Sequence, residues 1–320
     1  MKEEPRSTPN PEYTRPVVEV PASDFNDNGA GASFVAGPDG GFARFTPEKS
    51  AAPVRVFMDT KGDCIAWTAP SNFPAAPYYC FAEMRVDARA ANDNAAAYFG
   101  IYDRPLFNGL ALVGGSEEIA SMRVEREAGD LSWRLESLGR FPVKPGSKVY
   151  VMAGFVTPPG DTDVRRLLFV RPDILEGDVS EEGATSRHFG ANRLGGDKGL
   201  CETLTDRFDR FRYLRVRAPG RAAFDVPKGV EGRFHVFARV RSSVREPLVF
   251  DAARFTIAGT GASDVPLGTA RISGSAGELP WQLIWLGEFD ITPGTRIALE
   301  NTGADFTDWR DVALVKFDNP

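Results

Sequence analysis

Apolar and polar residues alternate with a period of two along much of this chain. Phe234, Val236, Ala238 and Val240 interleave with His235, Phe237, Arg239 and Arg241. Cys80, Ala82, Met84 and Val86 interleave in the same way with Tyr79, Phe81, Glu83 and Arg85. Successive side chains of an extended strand point to opposite faces, so the smaller, more apolar set of each segment faces a core. By the same parity Ile65 and Trp67 match Ala222 and Phe224 as inward residues. Pro145-Gly146 and Pro293-Gly294 each mark a tight turn between two such strands. No segment carries a capped apolar stripe of helical period. Many short strands at regular spacing predict an all-β chain of sandwich or jelly-roll type.

A long internal repeat sets the domain plan. Residues 133–149 and 281–297 align without a gap, and 7 of the 17 positions are identical, where chance gives about one. The identities are Trp133/Trp281, Leu135/Leu283, Leu138/Leu286, Gly139/Gly287, Phe141/Phe289, Pro145/Pro293 and Gly146/Gly294. Upstream, the segment from Tyr79 to Arg85 aligns with that from His235 to Arg241. Downstream, Val164 to Val170 aligns with Trp309 to Val315. A period this long belongs to a whole domain rather than a solenoid. The prediction is a Pro-rich leader over residues 1–16, a first β-sandwich over 17–176, a polar linker over 177–197 and a second β-sandwich over 198–320.

The second copy resembles a known family. Gly232-Arg-Phe-His-Val-Phe-Ala-Arg-Val-Arg is similar to a strand of carbohydrate-binding modules with the galactose-binding-like jelly roll. The segment 281–297 resembles their later hairpin, and Asp311-Val-Ala-Leu-Val-Lys-Phe their closing strand. These motifs are structural, so the resemblance implies the fold first and a glycan ligand only by analogy. Such modules often carry a structural calcium held partly by an Asp on the closing strand, which is Asp311 here. The first copy has Arg166 at that place, so the implied calcium belongs to the second copy alone.

Composition narrows the classes. A net charge of −6 argues against a nucleic-acid surface, which needs a basic face. No run of eighteen apolar residues is present, so no membrane-spanning helix is expected. The opening Met-Lys-Glu-Glu-Pro-Arg-Ser-Thr-Pro has no apolar core of a signal peptide, yet its Pro-rich character suits a tether and predicts an exported protein. With 32 Gly and 24 Pro scattered along the chain, turns are plentiful. Three cysteines are too few for a disulfide framework. The parity puts Cys64 outward and Cys80 inward, so no bridge between them is expected.

Candidate ligand-binding residues come from the second copy. The outward set of its 234–241 strand, His235, Phe237, Arg239 and Arg241, offers a phenyl ring beside two guanidiniums, which suits an acidic or a neutral glycan. Trp309 and Trp285 stand where the first copy has Val164 and Ser137, so each is an aromatic gained by one copy and a candidate sugar platform. Trp285 shares the parity of Trp281 and Leu283, which is equally the parity of a core filler. Trp133 and Trp281, present in both copies, read as core residues. Asp24-Phe-Asn26-Asp-Asn28-Gly29 matches the first half of a calcium loop, but Val35 stands where the bidentate Glu belongs, so a turn is the expectation.

The search for catalytic apparatus finds little. The two histidines, His188 and His235, have no evident nucleophile or metal-ligand partner, and no nucleotide or hydrolase motif stands in the right setting. Arg123-Val-Glu-Arg-Glu resembles one strand of jelly-roll polysaccharide lyases without the strands that complete their site. The leading reading is therefore a secreted, non-catalytic polysaccharide-binding protein with a glycan as partner. A surface or assembly component that binds a protein partner through a sheet face, with Ile284 outward, is the second. A lyase or glycosidase of the carboxylate type is the third.

Overall fold

The alternating segments fold as strands in a computed structural model. It describes residues 13, 15–28, 32–38, 40–46, 64–87, 93–102, 107–108, 111–112, 118–126, 129–153, 160–181, 184–207, 210–245, 248–259, 266–275 and 281–317. In the first half β1 to β6 run over Val17–Pro21, Ala32–Val35, Phe42–Phe45, Cys64–Thr68, Ala76–Val86 and Asp93–Tyr102. A short hairpin, β7 (Phe107–Asn108) and β8 (Ala111–Leu112), follows, then β9 to β12 over Glu118–Arg126, Arg134–Val143, Lys148–Ala153 and Thr162–Val170. One helical turn, α1 (Pro172–Glu176), comes next. The second half contributes β13 to β18 over Val179–Glu181, Ala184–Gly190, Gly195–Gly196, Cys201–Thr205, Arg212–Arg217 and Arg221–Asp225. Its remaining strands, β19 to β24, cover Gly232–Ser243, Leu248–Ala258, Gly268–Ser275, Gln282–Ile291, Arg296–Asn301 and Phe306–Phe317.

The chain is all-β and forms two tandem sandwiches, in compact units Met1–Pro172 and Asp173–Pro320. In the first, a sheet in the order β10-β5-β12-β3-β2, with β1 also on β12, faces a sheet in the order β4-β11-β6-β9. The second repeats this plan strand for strand. Strands β22, β19, β24 and β17 stand where β10, β5, β12 and β3 do, and β18, β23, β20 and β21 stand where β4, β11, β6 and β9 do. The predicted linker differs from this picture. Its residues supply β13 and β14, and β14 pairs with β24 from Ala184↔Phe317 to Gly190↔Asp311, as β1 pairs with β12. Polar, Gly-rich composition conceals two short strands whose inward residues are few. Residues 1–12 of the predicted leader lie outside the described residues.

Each sandwich closes on the residues the alternation selected. Ile65, Trp67, Cys80, Ala82, Met84 and Val86 lie in the first core, with Phe99 and Phe169. Ala222, Phe224, Phe234, Val236, Ala238 and Val240 lie in the second, with Phe255 and Ile297. Each fully buried large side chain contributes roughly 2 kcal/mol of hydrophobic stabilisation relative to exposure. Cys64 belongs to a separate cluster with Ala66 and Tyr150, on the other face of its strand from Ile65. All three cysteines are free thiols.

The parity fails along β10 and β22, in both copies for the same reason. Strands β10 and β22 each carry a bulge, between Ser137 and Gly139 and between Trp285 and Gly287. Gly139 and Gly287 adopt φ of 107° and 133°, open to glycine at little cost. The extra residue flips the strand upstream of it. Ile284 therefore sits opposite core-facing Ala238 and packs inward, while Trp285 sits opposite Phe237 on the outer face. Trp133 and Trp281, expected in the core, are half-buried residues of that outer face instead, and Ile284 is not available to an exposed apolar patch.

Candidate functional site

The outer face of the β19–β24 sheet carries a charged cluster that also exists in the first copy. Asp308 is fully buried and accepts a two-pronged bond from Arg215 (Nε 2.7 Å, Nη2 2.9 Å) and a third bond from Arg241 Nε at 2.9 Å. Asp163 likewise accepts from Arg44 (2.8 and 3.0 Å) and from Arg85 Nε at 2.7 Å. The strand pairing Arg241↔Asp308↔Arg215 sets these side chains in one row. Bonds to the acid are the main reason that the guanidiniums of Arg44 and Arg215 hold their protons above the ordinary arginine pKa. Aromatic rings cover the row: Arg241 lies 4.5 Å from the Trp281 ring and 5.2 Å from Tyr213, and Arg85 lies 4.8 Å from Trp133 and 5.2 Å from Phe42. Such stacking on partly desolvated cations contributes about 1 kcal/mol apiece.

The sequence-predicted ligand residues fare differently around this row. Trp309 is a core residue, 0% exposed, edge-on to Phe255 at 5.0 Å, with Nε1 donating to the Asp311 carbonyl at 3.1 Å. It cannot serve as a sugar platform. Phe237 is also 0% exposed, and Arg239, at 5%, donates to Asp311 at 2.9 Å, so neither offers a surface to a glycan. His235 accepts at Nδ1 from Trp285 Nε1 (3.2 Å) and packs against Phe317. Arg241 alone of the set belongs to the partly exposed row.

The calcium implied at Asp311 does not fit. Besides Arg239, its carboxylate has Arg310 Nε at 3.2 Å and His188 Nε2 at 3.4 Å, the last without hydrogen-bond geometry. Two guanidiniums around one acid leave no room for a hard cation that wants several oxygens. Among the described residues no group of three metal-binding side chains is present. The motif Asp24 to Gly29 is explained otherwise. Asn26 exchanges bonds with the Thr68 backbone (2.8 and 3.0 Å), and Asn28 Oδ1 accepts from Ala66 N–H at 2.9 Å. These side chains cap the open edge of β4 as a neighbouring strand would.

The same edge in the second copy keeps one such cap, Asp197 Oδ2 accepting from Arg221 N–H at 2.8 Å, but has glycines where Asn26 and Asp27 stand, and there a cleft opens. Phe25 and Leu194 both follow a single 3-10 turn and both pack on their cores, so Asn26, Asp27 and Asn28 correspond to Gly195, Gly196 and Asp197. Gly195 and Gly196 pair with Ala223 and Ala222 of β18 through backbone alone. A side chain at Gly196 would strike Cys201 Sγ at 2.4 Å. The cleft beside them has a volume of about 740 Å³ and is floored by Ala223 and Ala298. Arg221, bonded to Glu300 at 2.7 Å, and Arg296, bonded to Asp225 at 3.2 Å, stand 69% and 57% exposed along it. Arg193, Asp197 and half-buried Phe189 complete the wall. In the first copy Tyr150 replaces Ala298 and Lys148 replaces Arg296; they are 4% and 3% exposed, so that face is closed.

The cleft leaves little mark in the sequence, because its floor is alanine and its edge glycine. The signal lay in the repeat: continuing the alignment past Val149/Ile297 sets Tyr150 against Ala298.

Fold and site define a pair of β-sandwich modules, the second with an open polar cleft. No family model matches the sequence, and no curated protein matches it. The similar solved structures include carbohydrate-binding modules. One is a CBM6 module of Clostridium stercorarium in complex with cellobiose, 13% identical, covering 40% of this chain and 92% of that one with a TM-score of 0.31. Another is the tandem CBM22-1–CBM22-2 domain of Paenibacillus barcinonensis Xyn10C, 10% identical, covering 94% and 97% with a TM-score of 0.31. A third is a CBM36 module in complex with calcium and xylotriose, 13% identical, covering 41% and 99% with a TM-score of 0.29.

Proposed function

We propose that this protein is a non-catalytic carbohydrate-binding protein whose second sandwich takes a glycan in the cleft beside β18 and β23. The observation that carries the reading is the cleft's shape and lining. Its volume of about 740 Å³ lies in the range of small-ligand sites. A flat floor of Ala223 and Ala298 admits the apolar face of a pyranose ring. The Arg221–Glu300 and Arg296–Asp225 pairs set donors and acceptors side by side, which matches neighbouring sugar hydroxyls. Non-catalytic binding is the better fit because a general acid needs a shielded carboxyl, whereas Asp225 is 61% exposed and ion-paired.

Among the described residues no helix is long and apolar enough to cross a membrane. Work outside the cell or at its surface accords with a polysaccharide partner. The test is a glycan array probed with the purified chain, first with calcium and then with EDTA. Saturable binding that persists in EDTA is expected, since the acids at the cleft are engaged by arginines. A blank array from folded protein sinks the reading, and binding lost in EDTA sinks its metal-free form.

A further inference from the structure

The outer face of the second sandwich holds a group of donors that its twin in the first does not. In the first copy Asp161 adds an ion pair to Arg44 at 3.0 Å, so Arg44 and Arg85 meet two carboxylates, Asp161 and Asp163. Phe306 occupies the place of Asp161 in the second copy, its ring 3.8 Å from the Arg215 guanidinium. Among the described residues Arg215 and Arg241 therefore share Asp308 as their one ion-paired carboxylate, Glu202 being paired with Arg217, and the triad keeps one positive charge. Beside it, Trp281 Nε1 is buried and has no hydrogen-bond partner. A buried donor left unmet is unusual and calls for an acceptor from outside the chain or an ordered water.

Guanidinium and indole N–H have donors and no acceptors, so the ligand that fits both is acceptor-only. We propose that Trp281 and Arg241 bind an oxyanion, a carboxylate or sulfate borne by a ligand, on the sheet face opposite to the β19 core residues and apart from the cleft. Local charge would draw it, because the chain as a whole carries −6. Trp281 Nε1 donates one bond and the Arg241 guanidinium a second, charge-assisted one. Tyr213, 5.5 Å from the Trp281 ring, and Phe211, 5.4 Å from it, hold the indole edge-on.

The test follows the indole N–H resonances of the full ¹⁵N-labelled chain by NMR. Sodium sulfate and sodium galacturonate are titrated against sodium chloride at equal ionic strength. A saturable shift of one indole signal, identified as Trp281 by its loss in Trp281→Phe, is expected. Sulfate alone producing it assigns a sulfate ester, galacturonate alone a uronate, and either result supports the site. Phe306→Asp restores the acid that the first copy tolerates and is expected to weaken binding at least about tenfold, with the other indole signals in place. No shift with either anion, the same shift with chloride, or undiminished binding by Phe306→Asp overturns the proposal.

Discussion

Tyr150 and Ala298 occupy one position in two copies of one fold, on the outer face of the second sheet. In the first copy Tyr150 packs on Tyr102 at 5.2 Å and clusters with Cys64 and Ala66, while buried Lys148 bonds Asp27 at 2.8 Å. In the second, alanine at 298 and glycines at 195 and 196 remove those side chains, and arginines line what is left. The duplicated core shows that both sequences satisfy the same sandwich. The difference lies wholly in residues that the core does not need, which is where a fold is free to gain or lose a ligand. The buried Asp with its two arginines is the reverse case, kept in both copies because each outer sheet face depends on it.

That comparison can be broken most forcefully at the shared acid. Asp308→Ala leaves Arg215 and Arg241 without their carboxylate, and a loss of about 3 kcal/mol is expected in calorimetric unfolding. Asp163→Ala is expected to cost less, because Asp161 still pairs with Arg44. An unchanged unfolding temperature in both variants would remove the triad from the stability account. Gly287→Ala comes next, at about 2 kcal/mol, since a Cβ at φ 133° would meet the Phe289 ring at 2.4 Å. Gly139→Ala is expected to lose less, its nearest ring atom lying at 3.2 Å. The smallest effect is chemical. Burial pushes the Cys80 thiol well above its usual pKa, so iodoacetamide at pH 8 should label half-buried Cys201 first and Cys80 only on unfolding. Early labelling of Cys80, followed by peptide mass spectrometry, would contradict the packed first core.

The sequence disclosed the cores well because period-two alternation and burial are the same physical fact seen twice. Ile65, Trp67, Phe224 and Phe234 were all placed by parity, and all four are buried. Parity cannot see a bulge, however, and Gly287 reversed Trp281, Ile284 and Trp285 at a stroke. A second bulge, between Trp309 and Asp311, lets Asp308 and Asp311 share a face and leaves Trp309 in the core. An aromatic gained by one copy can be a platform or a core filler, and Trp309 is the second, answering Phe255 across the core. The cleft escaped because alanines and glycines announce nothing alone; only their partners in the other copy, Tyr150 and Asn26, give them meaning.

Glycan binding in the cleft is read by isothermal titration calorimetry with oligosaccharides taken from the array. The full chain is compared with Ala298→Tyr, which places at the floor the side chain that the first copy already accommodates. Saturable binding by the unaltered chain, lost in Ala298→Tyr with the unfolding temperature unchanged, is the predicted result. Equal binding by the two proteins would contradict the account and place the glycan elsewhere.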